Sequence, residues 1–474
     1  MMENDTYVFG SRAKGGLFLG LDAIGLAIAA ASLVVALLAL LVLPHVLGLG
    51  AAVVIGIGAA GFLLVPLPNR TAADWTRAIG SWGVRSVLGA SSGSVLPAVR
   101  APAPPALADP GLKLRLTDVA DGRVTWGLNR TGPGRWVAVM ALHGRDFSLT
   151  SDADQQRALE DWGRVLSSLS TRGSAIRRAQ IVETAIPDGG EGAAGWFAHS
   201  RQSINDAALL DYVRLLDWVG AGSTRHICLL AVEVVPKKAA DVDPIVTVLS
   251  SLASLRQTLR RAQIGSTPYD SAAVSEAIER AIYPAADADM TAARLDGRRR
   301  EPRVGCLGWS EHGDRLVTDG WHHACLRVTD WPRQPARGDW FQPLLAAPIP
   351  AVRTISIHIR PMNSRAAARQ ARHAITSADA ENEQKRRLGF KESVADVSAR
   401  QALEARAQEL DDGHALTKIS AVLTASAPSQ AALSVALKEI DDAAGRSNLA
   451  TEPCWGEQRA AFFASLPLCK GGRR

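Results

Sequence analysis

The densest run of side chains able to hold a metal or move a proton is "CLGWSEHGDRLVTDGWHHACLRV", with Cys306, His312, Asp314, His322, His323 and Cys325. Zinc sites repeat their ligands at short, fixed spacings. These residues do not, and neighbouring histidines on a strand point to opposite faces. The stretch therefore reads as a half-exposed strand with polar ends. Two motif matches fall nearer the N-terminus. Gly56, Gly58 and Gly61 spell GxGxxG, but they sit inside an apolar run, where close helix packing is the simpler reading. Gly89, Ser91 and Gly93 spell GxSxG without the strand before and helix after that a nucleophile elbow needs. The acid pairs Asp241/Asp243 and Asp287/Asp289 flank prolines and loops, and no partner base accompanies them. Gly-Lys never occurs, so the chain has no P-loop of its own. No catalytic constellation, metal site or cofactor is implied.

Composition narrows the setting. The 474 residues suffice for two or three domains, and the mean hydropathy of +0.03 conceals a concentration of apolar residues near the N-terminus. A net charge of +6 is a weak pointer to a membrane surface or nucleic acid. The five cysteines, Cys228, Cys306, Cys325, Cys454 and Cys469, are odd in number and form no CxxC, as expected in a reducing compartment.

Residues 17–67 carry one charge, Asp22, and hold two apolar lengths of about 20 residues broken at Pro44-His45. This predicts a two-helix transmembrane hairpin over 23–67 after a cytoplasmic tail, 1–22. Arg12 and Lys14 precede it and Arg70, Arg77 and Arg85 follow it, so the positive-inside rule places both termini in the cytoplasm of a two-span cell-membrane protein. Over 68–90, Trp75, Ala78, Ile79 and Trp82 repeat at helical spacing with Arg77 and Arg85 off that face. The pattern predicts a juxtamembrane helix in which Trp75, Arg77, Trp82 and Arg85 meet the bilayer interface.

A Ser/Pro/Ala linker occupies 91–110. Beyond it strands and helices interleave, predicting cytoplasmic α+β domains with mixed sheets flanked by helices: a first domain over 111–263, an irregular and helical connector over 264–310, and a second domain over 311–474. In the first, "GRVTWGLNRTGPGRWVAVMALHG" reads as two strands around a turn at 131–134, and Ser151 caps a helix with Leu159, Trp162, Leu166 and Leu169 on one face. A helix is expected near Ile204–Val219. In the second, Ile355, Ile357 and Ile359 alternate with Thr354, Ser356, His358 and Arg360 along a strand. A charged helical stretch follows from about Ser364 to Leu410. Arg294, Arg298, Arg299, Arg300 and Arg303 read as a solvated loop. Without interleaved aromatics, nucleic-acid contact is left open and not favoured.

Several blocks resemble a known family. The lead Phe9-Gly10-Ser11-Arg12 through Gly20-Leu21, the apolar hairpin, "ALHGRDFSLTSDADQQRALEDWGRVLSSLS", "RLVTDGWHHACLRVTDWPR", the "GHA" at Gly413-His414 and the ending "CWGEQRAAFFASLPLCKGG" resemble the actinobacterial PrgI-like membrane proteins associated with type IV (conjugation) secretion. The last three blocks also resemble the N-terminal, non-motor region of conjugation ATPases, where the "LPL" segment leads into the motor. Here Cys469-Lys470 stands where a glycine and an arginine are usual, and Glu457 intervenes before Gln458. The resemblance implies a non-catalytic inner-membrane component that docks a separate P-loop ATPase, oligomeric among other secretion subunits and in contact with the lipid bilayer. Gly413, His414, Gln458, Phe462, Phe463, Leu466, Pro467 and Leu468 would be its docking residues. The competing readings are an E-type core component of type VII secretion, and a membrane-tethered transferase, which would need a DxD at a strand end where Asp287/Asp289 read as part of an Ala-rich loop.

Overall fold

A computed structural model describes residues 23–94, 112–144, 150–188, 223–236, 243–332, 338–362 and 417–471, save 43, 65, 68, 69, 172 and 299, with short pieces inside 197–218 and 369–397. The helix expected near Ile204–Val219 and the charged stretch from Ser364 to Leu410 fall largely outside these residues, as do Gly413 and His414. The chain divides into two units.

The smaller unit, Ser11–Ser91 with Trp455–Glu457, holds α1 (Ala23–Val42), α2 (His45–Leu64), a two-residue ladder of β1 (Pro66–Leu67) and β2 (Arg70–Thr71), and α3 (Ala72–Val87). Pro44 separates the first two helices, which pack on each other, and its carbonyl accepts from Gly48 N at 2.8 Å. The expected membrane hairpin is overturned here. Among the described residues no helix is long and apolar enough to cross a membrane. The two-span cell-membrane location falls with the hairpin. Gly56, Gly58 and Gly61 do not serve close packing either, since a Cβ on any of them would meet nothing within 4 Å.

The larger unit is built on one 13-stranded sheet. In chain order its strands are β3 (Ser92–Ser94), β4 (Leu116–Asp121), β5 (Val124–Gly132), β6 (Arg135–His143), β7 (Ile176–Asp188), β8 (Ser223–Val234), β9 (Gly265–Pro268), β10 (Gly308–Glu311), β11 (Leu316–Thr318), β12 (Trp321–Asp330), β13 (Val352–Pro361), β14 (Thr417–Ala427) and β15 (Ala450–Pro453). The order across the sheet is β3-β10-β11-β12-β14-β13-β7-β8-β6-β5-β4, with β15 added to β12 and β9 to β6. Every pairing is antiparallel, so the sheet is not the mixed one expected.

Seven helices of this unit have bounds among the described residues, and most follow from capping and spacing. α4 (Asp152–Leu169) starts at Ser151, whose hydroxyl accepts from Asp154 N. α5 (Pro244–Arg261) has Asp243 as cap and proline in its first turn. α6 (Ser271–Ile282) is capped by Asp270, and α7 (Ala286–Leu295) follows it. α8 (Gln342–Leu345) is a single turn, α9 (Gln430–Arg446) is capped by Ser429, and α10 is Gln458–Ser465.

The topology contains a repeat. β6-α4-β7-β8-α5-β9 forms a sheet ordered β9-β6-β8-β7, and β12-α8-β13-β14-α9-β15 forms one ordered β15-β12-β14-β13. Each is the split β-α-β-β-α-β arrangement of ferredoxin-like folds. The copies join through β7 and β13, so the two domains expected to be separate share one sheet. The 264–310 stretch, expected as an irregular and helical connector, supplies β9, α6, α7 and the start of β10.

Three cores fill the layers. α4 and α5 cover one face of the first copy, with Trp126, Met140, Leu252 and Leu259 buried. α8 and α9 cover the same face of the second, around Ile355, Leu423 and Ile440. α6, α10 and the C-terminal segment cover the other face of both. The entry to α6 passes close over β5: Gly127 N donates to Tyr269 O at 2.8 Å, and a Cβ on Gly127 would lie 2.5 Å from the Asp270 carbonyl carbon. Gly127→Ala should therefore cost about 2–3 kcal/mol in urea unfolding. Gly163→Ala, in helix α4 with open space around it, should stabilise by about 0.5–1 kcal/mol. Equal effects at the two sites would refute the close approach.

Candidate functional site at the sheet seam

β7 and β13 meet with Ile181 opposite Ile357, and the pairing runs from Ala179↔Ile359 to Ala185↔Arg353. Alternation puts Gln180, Val182 and Thr184 on the same face as Thr354, Ser356 and His358. That face is where the C-terminal segment lies. Gln180, 0% exposed, shares the two protons of its amide nitrogen among Ser356 Oγ (2.8 Å), Ala464 O (2.9 Å) and Leu466 O (2.7 Å), while its Oε1 accepts from Cys469 N at 2.7 Å. Ser356 Oγ donates to Ala464 O at 3.1 Å, and His358 Nε2 lies 2.9 Å from the same carbonyl. A carbonyl only accepts, so that nitrogen carries the proton. Arg178 donates to Cys469 O (3.2 Å) and Gly471 O (3.3 Å) and pairs with Glu233, Arg360 donates to Gly471 O (3.4 Å), and Lys470 Nζ donates to Leu112 O. The segment turns at Cys469 (φ 50°) and Gly471 (φ 99°), and a Cβ on Gly471 would stand 2.5 Å from Ala464 Cβ.

A second polar chain runs through the same layer. Thr318 Oγ1 donates to Ile282 O at 2.7 Å and so receives from His323 Nε2 at 2.7 Å. His323 Nδ1 then accepts from Ser426 Oγ at 2.8 Å, and the ring stacks 4.6 Å from Phe462. Burial pushes His323 down to about 3, against the opposing bond of Ile282. Burial likewise pushes His358 down to about 4, with Ala464 opposing and the charges of Arg178 and Arg360 assisting. Gln458, 1% exposed, fastens α10 to the sheet by accepting from Cys325 N at 2.8 Å.

The expected docking residues thus lie inside. Gln458, Phe462, Leu466, Pro467 and Leu468 are buried and Phe463 is half-buried against the same core. These six brace the seam, and of them Phe463 keeps part of its surface. At the expected interface helix, Trp82 and Arg85 are half-buried in α3, and Arg85 donates to Gly456 O at 2.6 Å. The side chains of Trp75 and Arg77 lie outside the described residues. Gly93, from the GxSxG match, sits in β3 against the Trp309 indole.

The candidate ligands are dispersed. Cys306, His323 and Cys325 are buried in the core, His322 is half-buried and His312 is exposed. No group of three metal-ligating side chains forms among the described residues. Burial raises the Cys228 thiol to about 11, with Glu183 adding to the shift, so it stays protonated at neutral pH. Asp287 bonds Arg280 at 2.7 Å and also pairs with Arg225, inside the protein and not at a strand end facing a donor pocket. The arginine-rich stretch is largely neutralised in place: Arg294 pairs with Glu276, Arg298 with Asp296, and Arg300 with buried Glu279 at 2.6 and 2.5 Å.

Sequence reading missed Gln180 as the residue on which the seam turns. Its only local signal was a glutamine between Ala179 and Ile181 in a strand that also carries Arg177, Arg178 and Glu183. No family model matches the chain, and no curated protein matches it.

Two outcomes follow from this geometry. Gln180→Leu leaves the Leu466 carbonyl and the Cys469 amide without their partner, while Ala464 O keeps Ser356 and His358, and should cost about 2–4 kcal/mol, with hydrogen exchange accelerating first at 464–471. Unchanged exchange there would remove Gln180 from this role. The unfolded imidazoles protonate near 6.5, while folded His358 and His323 resist protonation down to about 4 and 3. The unfolded state therefore binds more protons below pH 6.5, and stability is complete above that value and lost toward pH 4. The loss from His358 is on the order of 3 kcal/mol, measurable as a falling urea midpoint. A flat midpoint from pH 7 to 4.5 would contradict it.

Proposed function

We propose that this chain is a non-catalytic docking component of a type IV (conjugation) secretion-like machine, and that its partner is a P-loop ATPase. The observation that carries the reading is the fold of the block that resembles the run-up to the conjugation motor. Gln458–Gly471 is bolted across the middle of the sheet, fixed to strands of both copies. A segment held this way is a rigid mount. It delivers Lys470 and Gly471 to the surface beside Arg178 and Arg360, at the join of the two copies.

Residue 469 adds support. The resembled ending usually carries glycine there, and the backbone holds φ 50°, a conformation natural to glycine that Cys469 adopts under strain. The charges around the mount are positive, which suits an acidic face on the partner.

The test is purification of the tagged chain after mild crosslinking from cells that carry it, with the bound proteins identified by mass spectrometry. A conjugation-type P-loop ATPase should co-purify, and Arg360→Glu should lower its yield roughly tenfold without changing the melting temperature. Type VII components in its place, or an ATPase yield indifferent to Arg360→Glu, would overturn the proposal.

A further inference from the structure

The second ferredoxin-like copy begins with β12 and ends with β15, and these two strands lie side by side. Their antiparallel register sets Leu326 opposite Pro453 and Arg327 opposite Glu452. One step further along the same register, Cys325 comes opposite Cys454, and Cys454 N donates to Cys325 O at 2.9 Å. Residues opposed in this way project from the same face of a sheet. Both cysteines accordingly belong to one core, each is 0% exposed, and both are free thiols.

The backbone already meets the spacing of a covalent link. A hydrogen-bonded antiparallel pair holds its Cα atoms about 5.5 Å apart, inside the roughly 4.4–6.8 Å that disulfides span. Cys228 is placed differently, facing Glu183 across β7. Cys325 Sγ lies 3.3 Å from Thr424 Oγ1, and burial raises its pKa, with the neighbouring Cys454 adding to the shift. The pair is therefore inert while the sheet is closed. Its access is through β15, a strand of four residues whose pairing with β12 slips between Val328 and Asp330. Short, irregularly paired strands open at lower cost than the centre of a sheet.

We propose that Cys325 and Cys454 form a reversible disulfide when β15 opens in the presence of a peroxide. The exposed Cys454 thiolate attacks hydrogen peroxide: one oxygen passes to the sulfur as a sulfenic acid, and the other leaves as water. Cys325 then displaces a second water and forms the S–S bond. Two thiols lose two electrons, and one peroxide becomes two waters. A small thiol reverses the step by exchange. The bond closes the second copy on itself, from its first strand to its last. It also fixes the entry to α10, where Gln458 accepts from Cys325 N at 2.8 Å. This modification does not depend on the docking reading.

The test treats the intact chain with hydrogen peroxide, with and without sub-denaturing urea to open β15, and then alkylates it for mass spectrometry. Free thiols should fall from five to three, with one pair of peptides joined through Cys325 and Cys454. The oxidised chain should melt about 5 °C or more higher, a gain that dithiothreitol removes. Cys454→Ala should abolish the link and the gain, and Cys228→Ala should leave both. Five free thiols in both conditions overturn the proposal. So does a link between other cysteines or between chains, or a melting gain that survives Cys454→Ala.

Discussion

One buried side-chain amide governs this architecture. Gln180 lies at the join of two ferredoxin-like halves, where neither half has a helix of its own to close the sheet. Its amide group binds Ser356 from the opposite strand, the carbonyls of Ala464 and Leu466, and the amide of Cys469. A polar group so deep is tolerable only when its hydrogen bonds are met, and a network met in full specifies one geometry strongly. The C-terminal segment has no regular structure after α10, yet the carbonyls of Leu466, Cys469 and Gly471 and the amide of Cys469 are met by side chains on the sheet.

The rest of that layer repeats this device. His358 serves Ala464, Thr318 serves the last carbonyl of α6, and Gln458 serves the edge of β12 at Cys325. Helix ends and an irregular segment have backbone groups that their own structure leaves without partners. In this protein they are answered by Thr, His, Ser and Gln on strands whose other face is aliphatic. The opposite face of the sheet has long amphipathic helices and so needs fewer such side chains. Arg353 is its counterpart there, 1% exposed and donating to the carbonyls of Leu344 and Leu345 at the end of α8.

Much of the element pattern was legible. Alternation marked β13, with its isoleucines on one face and Thr354, Ser356 and His358 on the other. The Gly/Pro turn at 131–134 marked the β5–β6 hairpin, and Ser151 marked the start of α4. The repeat was not legible, because it resides in strand order, and its two copies differ in helix and loop lengths: α4 has 18 residues where α8 has 4. The membrane hairpin was read from apolar length alone, and among the described residues no helix is long and apolar enough to cross a membrane. The docking residues were read from kinship, and motif-like apolar and aromatic side chains near a chain's functional edge are as readily core as contact.

The sequence by itself determined which segments are strands and helices, where the helices start, and that no P-loop is present. These are local properties, set by side-chain periodicity, capping chemistry and the presence or absence of a short motif. Only the tertiary structure decided that two halves share one antiparallel sheet, that Gln458, Phe462 and Leu466–Cys469 are buried brace and not surface, and that Asp287 answers two arginines at once. The first two facts depend on residues some 170 to 290 positions apart meeting in space, as Gln180 does with Ser356 and Cys469. No local spacing records such a meeting, because it follows from how the whole sheet closes its apolar faces.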